Sequence, residues 1–153
     1  MPGHIEHSYV GGLSGLVFAI FRVEGKPNEQ RVLEAIGGFI VGSVAGCIPD
    51  IIEPAKKLGP CHRKSAHSVV LGAGIVGATT VFLAQSQEWF RARAAECATR
   101  RNGYEKGTIL HMVFDLLEKL CYILAGGVPG LAAGYLSHLV LDAGTVKGLP
   151  WWC

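Results

Sequence analysis

SVVLGAGIVGATTVFLAQ, Ser68 to Gln85, places Gly72-Ala73-Gly74-Ile75-Val76-Gly77 behind an apolar run. Three things carry a G-x-G-x-x-G of this kind: a dinucleotide-binding turn, a membrane span, or a glycine-faced helix. The first needs a strand before Gly72, a helix after Gly77, and a second strand with an acidic residue about 20 residues on. That second strand would fall in EWFRARAAECATRR, which has helical character. No β–α alternation follows, so no bound dinucleotide is expected. Gly72, Ala73, Gly77 and Ala78 are instead expected to form a small-residue face on which another helix packs.

Outward from that stretch, helical periodicity dominates and alternating strands are absent. Helices are expected over His7–Gly25 and Pro27–Asp50. A third starts near Ala66 or His67 and runs through the glycine stretch. A charged amphipathic helix spans Gln87–Gly103, another spans Gly107–Gly127, and the last begins at Pro129 and stops at Gly144. Proline suits the first turn of a helix and glycine its end, and these residues set the boundaries. Gly38, Gly42 and Gly46 recur at i+4, leaving one face bare for a close neighbour. The expectation is a single all-α domain over residues 1–153, a bundle of about five to six helices.

Half of the 153 residues are hydrophobic, 17% are charged, and the mean hydropathy is +0.34. That is apolar for a soluble domain and leaves a soluble bundle and a membrane bundle both open. The net charge of +2 gives no footprint for nucleic acid. Five scattered cysteines without a C-x-x-C argue for reduced thiols rather than a disulfide framework. The start, MPGHIEHSYVGG, lacks the basic segment of a signal peptide.

The polar residues inside apolar sequence point to a site. His111 and Asp115 form H-x-x-x-D in ILHMVFDLL, and His138 and Asp142 repeat it in LSHLVLDAG. At i,i+4 both side chains leave one helical face, a spacing at which two groups can grip one metal ion. A single such pair is as well explained by a His–Asp hydrogen bond in a core. Two pairs, with Asp50 at a helix end and His62 and His67 flanking a helix start, shift the reading toward metal. Mixed histidine and carboxylate donors suit zinc, and manganese or iron also fit. In an up-and-down bundle His7, Asp50, His67 and Asp142 share one end. His111 joins them only if the chain returns through the charged helix, or if His111 and Asp115 reach the site from mid-helix.

GGFIVGSVAGCIPD, CHRKSAHSVVLG and GYLSHLVLDAGTVKGLPWW, in that order, resemble a bacterial family of membrane-bound, metal-dependent hydrolases. That family is in turn similar to the zinc-dependent phospholipase C and single-strand nuclease superfamily, which is all-α and cleaves phosphoester bonds. The resemblance implies metal ligation by His7 (His4 as an alternate), Asp50, His67, His111, Asp115, His138 and Asp142, with His62 a further alternate. It implies one to three ions, zinc first, and a phosphate-containing substrate, either lipid or nucleotide. Asp115 would bridge two ions, Asp50 would hold an ion or orient water, and Arg63 would clamp a phosphate oxygen. The location implied is the bacterial inner membrane or its surface, with the cytoplasm as the alternative. The competing reading is a non-enzymatic helical membrane protein whose histidines and aspartates hold a structural metal or only hydrogen-bond.

Overall fold

The structure is a computed structural model that describes residues 4–52 and 69–143, with side chains in the second segment from residue 81 onward. Four long helices and one short one make up the described residues: α1 His4–Arg22, α2 Asn28–Ala45, α3 Ile48–Ile52, α4 Val69–Asn102 and α5 Ile109–Ala143. The helical class is as expected. Among the described residues the long helices number four, because two expected breaks do not occur. Nothing between Gln85 and Gln87 stops a helix, so the glycine stretch and the charged segment form one 34-residue α4. That continuity also removes the dinucleotide turn, since Gly72–Gly77 is helical throughout. Pro129 lies inside α5 rather than opening a new helix. Proline removes one backbone N–H, a loss that neighbouring helices can offset in membrane bundles.

Other boundaries follow local chemistry. Gly25 takes φ +79° after α1, a conformation glycine adopts without steric cost. Thr108 caps α5, its hydroxyl accepting the His111 N–H at 3.3 Å. The expected single helix Pro27–Asp50 ends at Ala45, and the chain turns at Gly46–Cys47 into the one-turn α3 that carries Asp50.

Three helices meet backbone to backbone. A Cβ placed on Gly15 would overlap the Gly38 carbonyl and press on Gly130. One on Gly42 would overlap the Gly11 carbonyl, and one on Gly134 the Gly42 carbonyl. A Cβ on Gly46 would strike the His7 carbonyl. The pairings step by four residues on every helix. Residues 15, 11 and 7 of α1 descend as 38, 42 and 46 of α2 and 130, 134 and 138 of α5 ascend. So α1 runs antiparallel to α2, while α2 and α5 run parallel. Small residues at i+4 spacing let helices in an apolar medium gain close packing that larger side chains would prevent.

A buried polar knot fastens α4 to this trio. Glu34 of α2 is fully buried, and its carboxylate accepts from Arg91 Nε at 2.9 Å, Arg91 Nη2 at 2.8 Å, Gln30 at 2.7 Å and Gln87 at 3.2 Å. Gln87 in turn accepts from the Arg22 guanidinium at 3.0 Å. A buried carboxylate is tolerable only with this degree of pairing.

Many large apolar side chains face outward, including Val32, Ile36, Ile40 and Val44, one stripe of α2 at i+4 spacing. Asn28–Ile52 has a mean hydropathy of 1.8 over its best window and is long and apolar enough to cross a membrane. Near the start of α2, ion pairs tie α4 to α5. There Asp115 bonds Lys119 at 2.7 Å and Arg101 at 2.9 Å. The Lys119 ammonium, with Arg101, holds the Asp115 carboxyl below its ordinary range.

The seam sets a test. Gly42→Leu should destabilise the fold by about 1–3 kcal/mol or abolish it. Val32→Leu, on the outer stripe, should leave the thermal midpoint in detergent close to wild type. Equal midpoints for both variants would mean the helices are not held backbone to backbone.

Candidate metal centre

The rung above Gly42 carries no glycine on α1 or α5. Their four-residue steps place His7 and His138 there, on either side of Gly46. Their rings stack, with centroids 3.9 Å apart and planes at 28°. One turn further, α5 supplies Asp142 and the short α3 supplies Asp50. The break at Gly46–Cys47 thus matters to the site, because it carries Asp50 to the His pair.

The four side chains converge through their outer atoms. His7 Nε2 lies 3.5 Å from Asp142 Oδ1 and 3.9 Å from Asp50 Oδ2. His138 Nε2 lies 3.7 Å from Asp142 Oδ2 and 3.9 Å from Asp50 Oδ1. These separations exceed hydrogen-bond length. Two ligands on one tetrahedral zinc ion, each bonded at 2.0–2.1 Å, stand about 3.3 Å apart. The cluster is close to that spacing, with room to contract. One donor atom from each of His7, His138 and Asp142 can be chosen so that all three lie within 4.8 Å of one another.

Tautomer and burial agree with ligation. His138 Nδ1 is 2.7 Å from the Gly46 carbonyl oxygen. A carbonyl only accepts, so Nδ1 carries the proton and Nε2 turns its lone pair into the cluster. A backbone acceptor behind a ring nitrogen is how metal-binding histidines are usually held. His7, His138 and Asp142 are 1%, 0% and 1% exposed, whereas the Asp50 side chain retains 14%. Three donors are therefore buried and the fourth keeps a small exposed fraction. His4 approaches Asp50 at 3.7 Å from the surface, its own side chain 71% exposed.

The remaining expected residues fall elsewhere. His111 and Asp115 do not join the cluster. They lie 27 residues before His138 and Asp142 on the same unbroken helix, about 40 Å away at 1.5 Å per residue. Asp115 is committed to Lys119 and Arg101, so it is not placed to bridge ions beside His138. His62, Arg63 and His67 lie outside the described residues, as do the basic residues Lys56, Lys57 and Lys64 and the terminal Trp151 and Trp152. The packing face expected on Gly72, Ala73, Gly77 and Ala78 falls among side chains that are likewise not described. Conversely, the Glu34–Arg91–Gln87 knot was not anticipated. Its signal in the sequence is a lone glutamate in an apolar helix and arginines on the charged segment that follows the glycine stretch.

Compared with known families, the chain matches the YdjM inner membrane protein family over residues 1–153. The chain belongs to that family. Membership places it in the bacterial inner membrane, in keeping with the outward apolar faces of α1, α2 and α5. No curated protein and no solved structure matches it.

The geometry separates two His–Asp pairs that look alike in sequence. His138→Ala and Asp142→Ala should each weaken metal binding by about 100-fold or more. His111→Ala and Asp115→Ala should leave it unchanged. Elemental analysis after dialysis against limiting zinc reads the difference. Equal loss in both pairs would contradict the placement.

Proposed function

We propose that this inner-membrane protein is a metal-dependent hydrolase of phosphoester bonds. His7, His138 and Asp142 would hold one divalent ion, zinc first, with the Asp50 carboxylate beside them. The observation that carries the reading is the asymmetry of burial. Three donors are buried, and the fourth carboxylate, on a separate short helix, keeps 14% of its side chain exposed. Catalytic zinc sites combine three protein ligands with an exchangeable water, whereas structural sites close all four positions.

The donor set fits the ion in charge as well as spacing. Two imidazoles and one carboxylate would leave a dication positive, and the Asp50 carboxylate, 3.9 Å from both histidines, offsets that charge until it takes up a proton. When bound, the ion would supply an acidified water and an electrophilic contact for a phosphoryl oxygen. The protein's own groups do the rest. Gly46 fixes the His138 ring through Nδ1–H. Asp142 spans the two histidines, one oxygen toward each. Asp50 orients the attacking water and receives its proton on a carboxylate oxygen. As that water's oxygen bonds to phosphorus, the P–O bond to the leaving group breaks, and the departing oxygen takes up a proton. Three ligands with one carboxylate beside them support the reading of a single ion.

Full-length protein in detergent should cleave bis(4-nitrophenyl) phosphate with added zinc or manganese and stop with a chelator. Asp50→Asn should lower kcat by about 100-fold or more, with bound metal close to wild type. Bound metal without turnover on any phosphoester would favour a structural ion. Loss of metal and fold together in Asp50→Asn would do the same.

A further inference from the structure

Of the five cysteines, Cys97 and Cys121 lie on facing helices. α4 and α5 form an antiparallel hairpin whose contacts follow one register. Near its turn Tyr104 stacks on Phe114, with ring centroids 5.7 Å apart. One turn further, Arg101 Nη1 meets Glu118 Oε2 at 2.6 Å. The next step sets Cys97 opposite Cys121, and the two side chains are in hydrogen-bond contact. The step after that brings Ala94 level with Ala125, both fully buried. The cysteines thus fill one rung of a seam between an ion pair and a pair of alanines. Neither serves the candidate metal centre, since Cys121 lies about 25 Å along α5 from His138. Cys47 differs, its thiol donating to the His4 carbonyl at 3.5 Å.

A disulfide needs the two backbones close, with Cα atoms within about 7 Å. The neighbouring alanine rung carries no bulk to hold the helices further apart. The Arg101–Glu118 ion pair on the other side opposes sliding of the register. Both cysteines are half-buried, so their sulfurs remain open to a small reagent. We propose that Cys97 and Cys121 are a redox-active dithiol, with a low-molecular-weight disulfide as co-reactant. One thiol gives up its proton and attacks a sulfur of the small disulfide. That S–S bond breaks, a small thiolate leaves, and a mixed disulfide remains. The second thiol gives up its proton, attacks the protein-side sulfur of the mixed disulfide, and expels the second small thiolate. The protein sulfurs lose two electrons in all, the small disulfide gains them, and the two protons end on the released thiols. The new bond staples α4 to α5 and restricts the unfolded chain, which favours the folded hairpin. A reducing compartment keeps the pair open. This assignment is independent of the hydrolase reading.

The test equilibrates the full chain, folded in detergent, with glutathione buffers running from reduced to oxidised. Free thiols are then alkylated and the peptides read by mass spectrometry. Oxidised wild type should yield one linked peptide pair, Cys97 with Cys121, that reverts fully on reduction. Cys97→Ser should instead retain one glutathione on Cys121, because no second thiol is there to expel it. Oxidised wild type should melt roughly 5 °C above the reduced protein. The double variant Cys97→Ser, Cys121→Ser should lose that difference. Glutathione on Cys97 and Cys121 separately in wild type, or no reaction at either, overturns the proposal without recourse to any variant. Links spread evenly among Cys47, Cys61, Cys97, Cys121 and Cys153 also overturn it, since they mark exchange through an unfolded chain. A linked pair that leaves the melting point unchanged overturns the staple.

Discussion

The close approach of α1, α2 and α5 at their glycine rungs is the constraint from which the rest of the arrangement follows. Where Gly15, Gly38 and Gly130 meet, and again at Gly11, Gly42 and Gly134, no side chain separates the backbones. Such contact tolerates little sliding, because any shift brings a larger side chain against a carbonyl. The four-residue step that repeats the rung therefore also fixes what comes next. On α1 and α5 it is a histidine in place of a glycine, and on α2 it is Gly46, whose carbonyl holds the His138 ring. The packing register and the chemical register are the same.

Two buried polar groups lie at opposite ends of that seam and differ in kind. The Glu34 carboxylate is saturated by Arg91, Gln30 and Gln87, with hydrogen bonds of 2.7–3.2 Å. Nothing remains for a ligand to do, and the knot ties α4 to the trio. At the other end, the His and Asp groups stand 3.5–3.9 Å apart, a spacing close to that of ligands around one ion. The contrast makes one end a fastener and the other a candidate reaction centre.

Much of this was legible in the residues. The helical class followed from periodicity and the absence of alternation, and the bare face of Gly38, Gly42 and Gly46 was visible as a repeat. His7, Asp50, His67 and Asp142 are expected at one end; the structure brings His7, Asp50 and Asp142 together with His138, and His67 lies outside the described residues. The separation of His111 and Asp115 from the cluster traces to two helices that run on where breaks are expected, α4 past Gln85–Gln87 and α5 through Pro129. A reversal at that proline would have folded the start of the Gly107–Gly127 segment back beside Asp142. Because α5 runs straight through, the two H-x-x-x-D pairs end up at opposite ends of one helix. Sequence spacing is identical in the two cases, and only the path of the chain tells them apart. The Glu34–Arg91 pairing was beyond reach for a similar reason. Residues 57 positions apart meet only after the register of α4 on α5 is known.

The central claim is that the glycine register assembles a metal site from His7, His138 and Asp142. X-ray absorption at the K-edge of the ion carried by the purified protein tests it most directly. The account predicts four nitrogen or oxygen scatterers at about 2.0–2.1 Å, as for zinc. Outer-shell features of two imidazole rings should accompany them, falling to one in His138→Ala. A protein purified with metal present that binds none, or one whose ion shows no imidazole scattering, would contradict it.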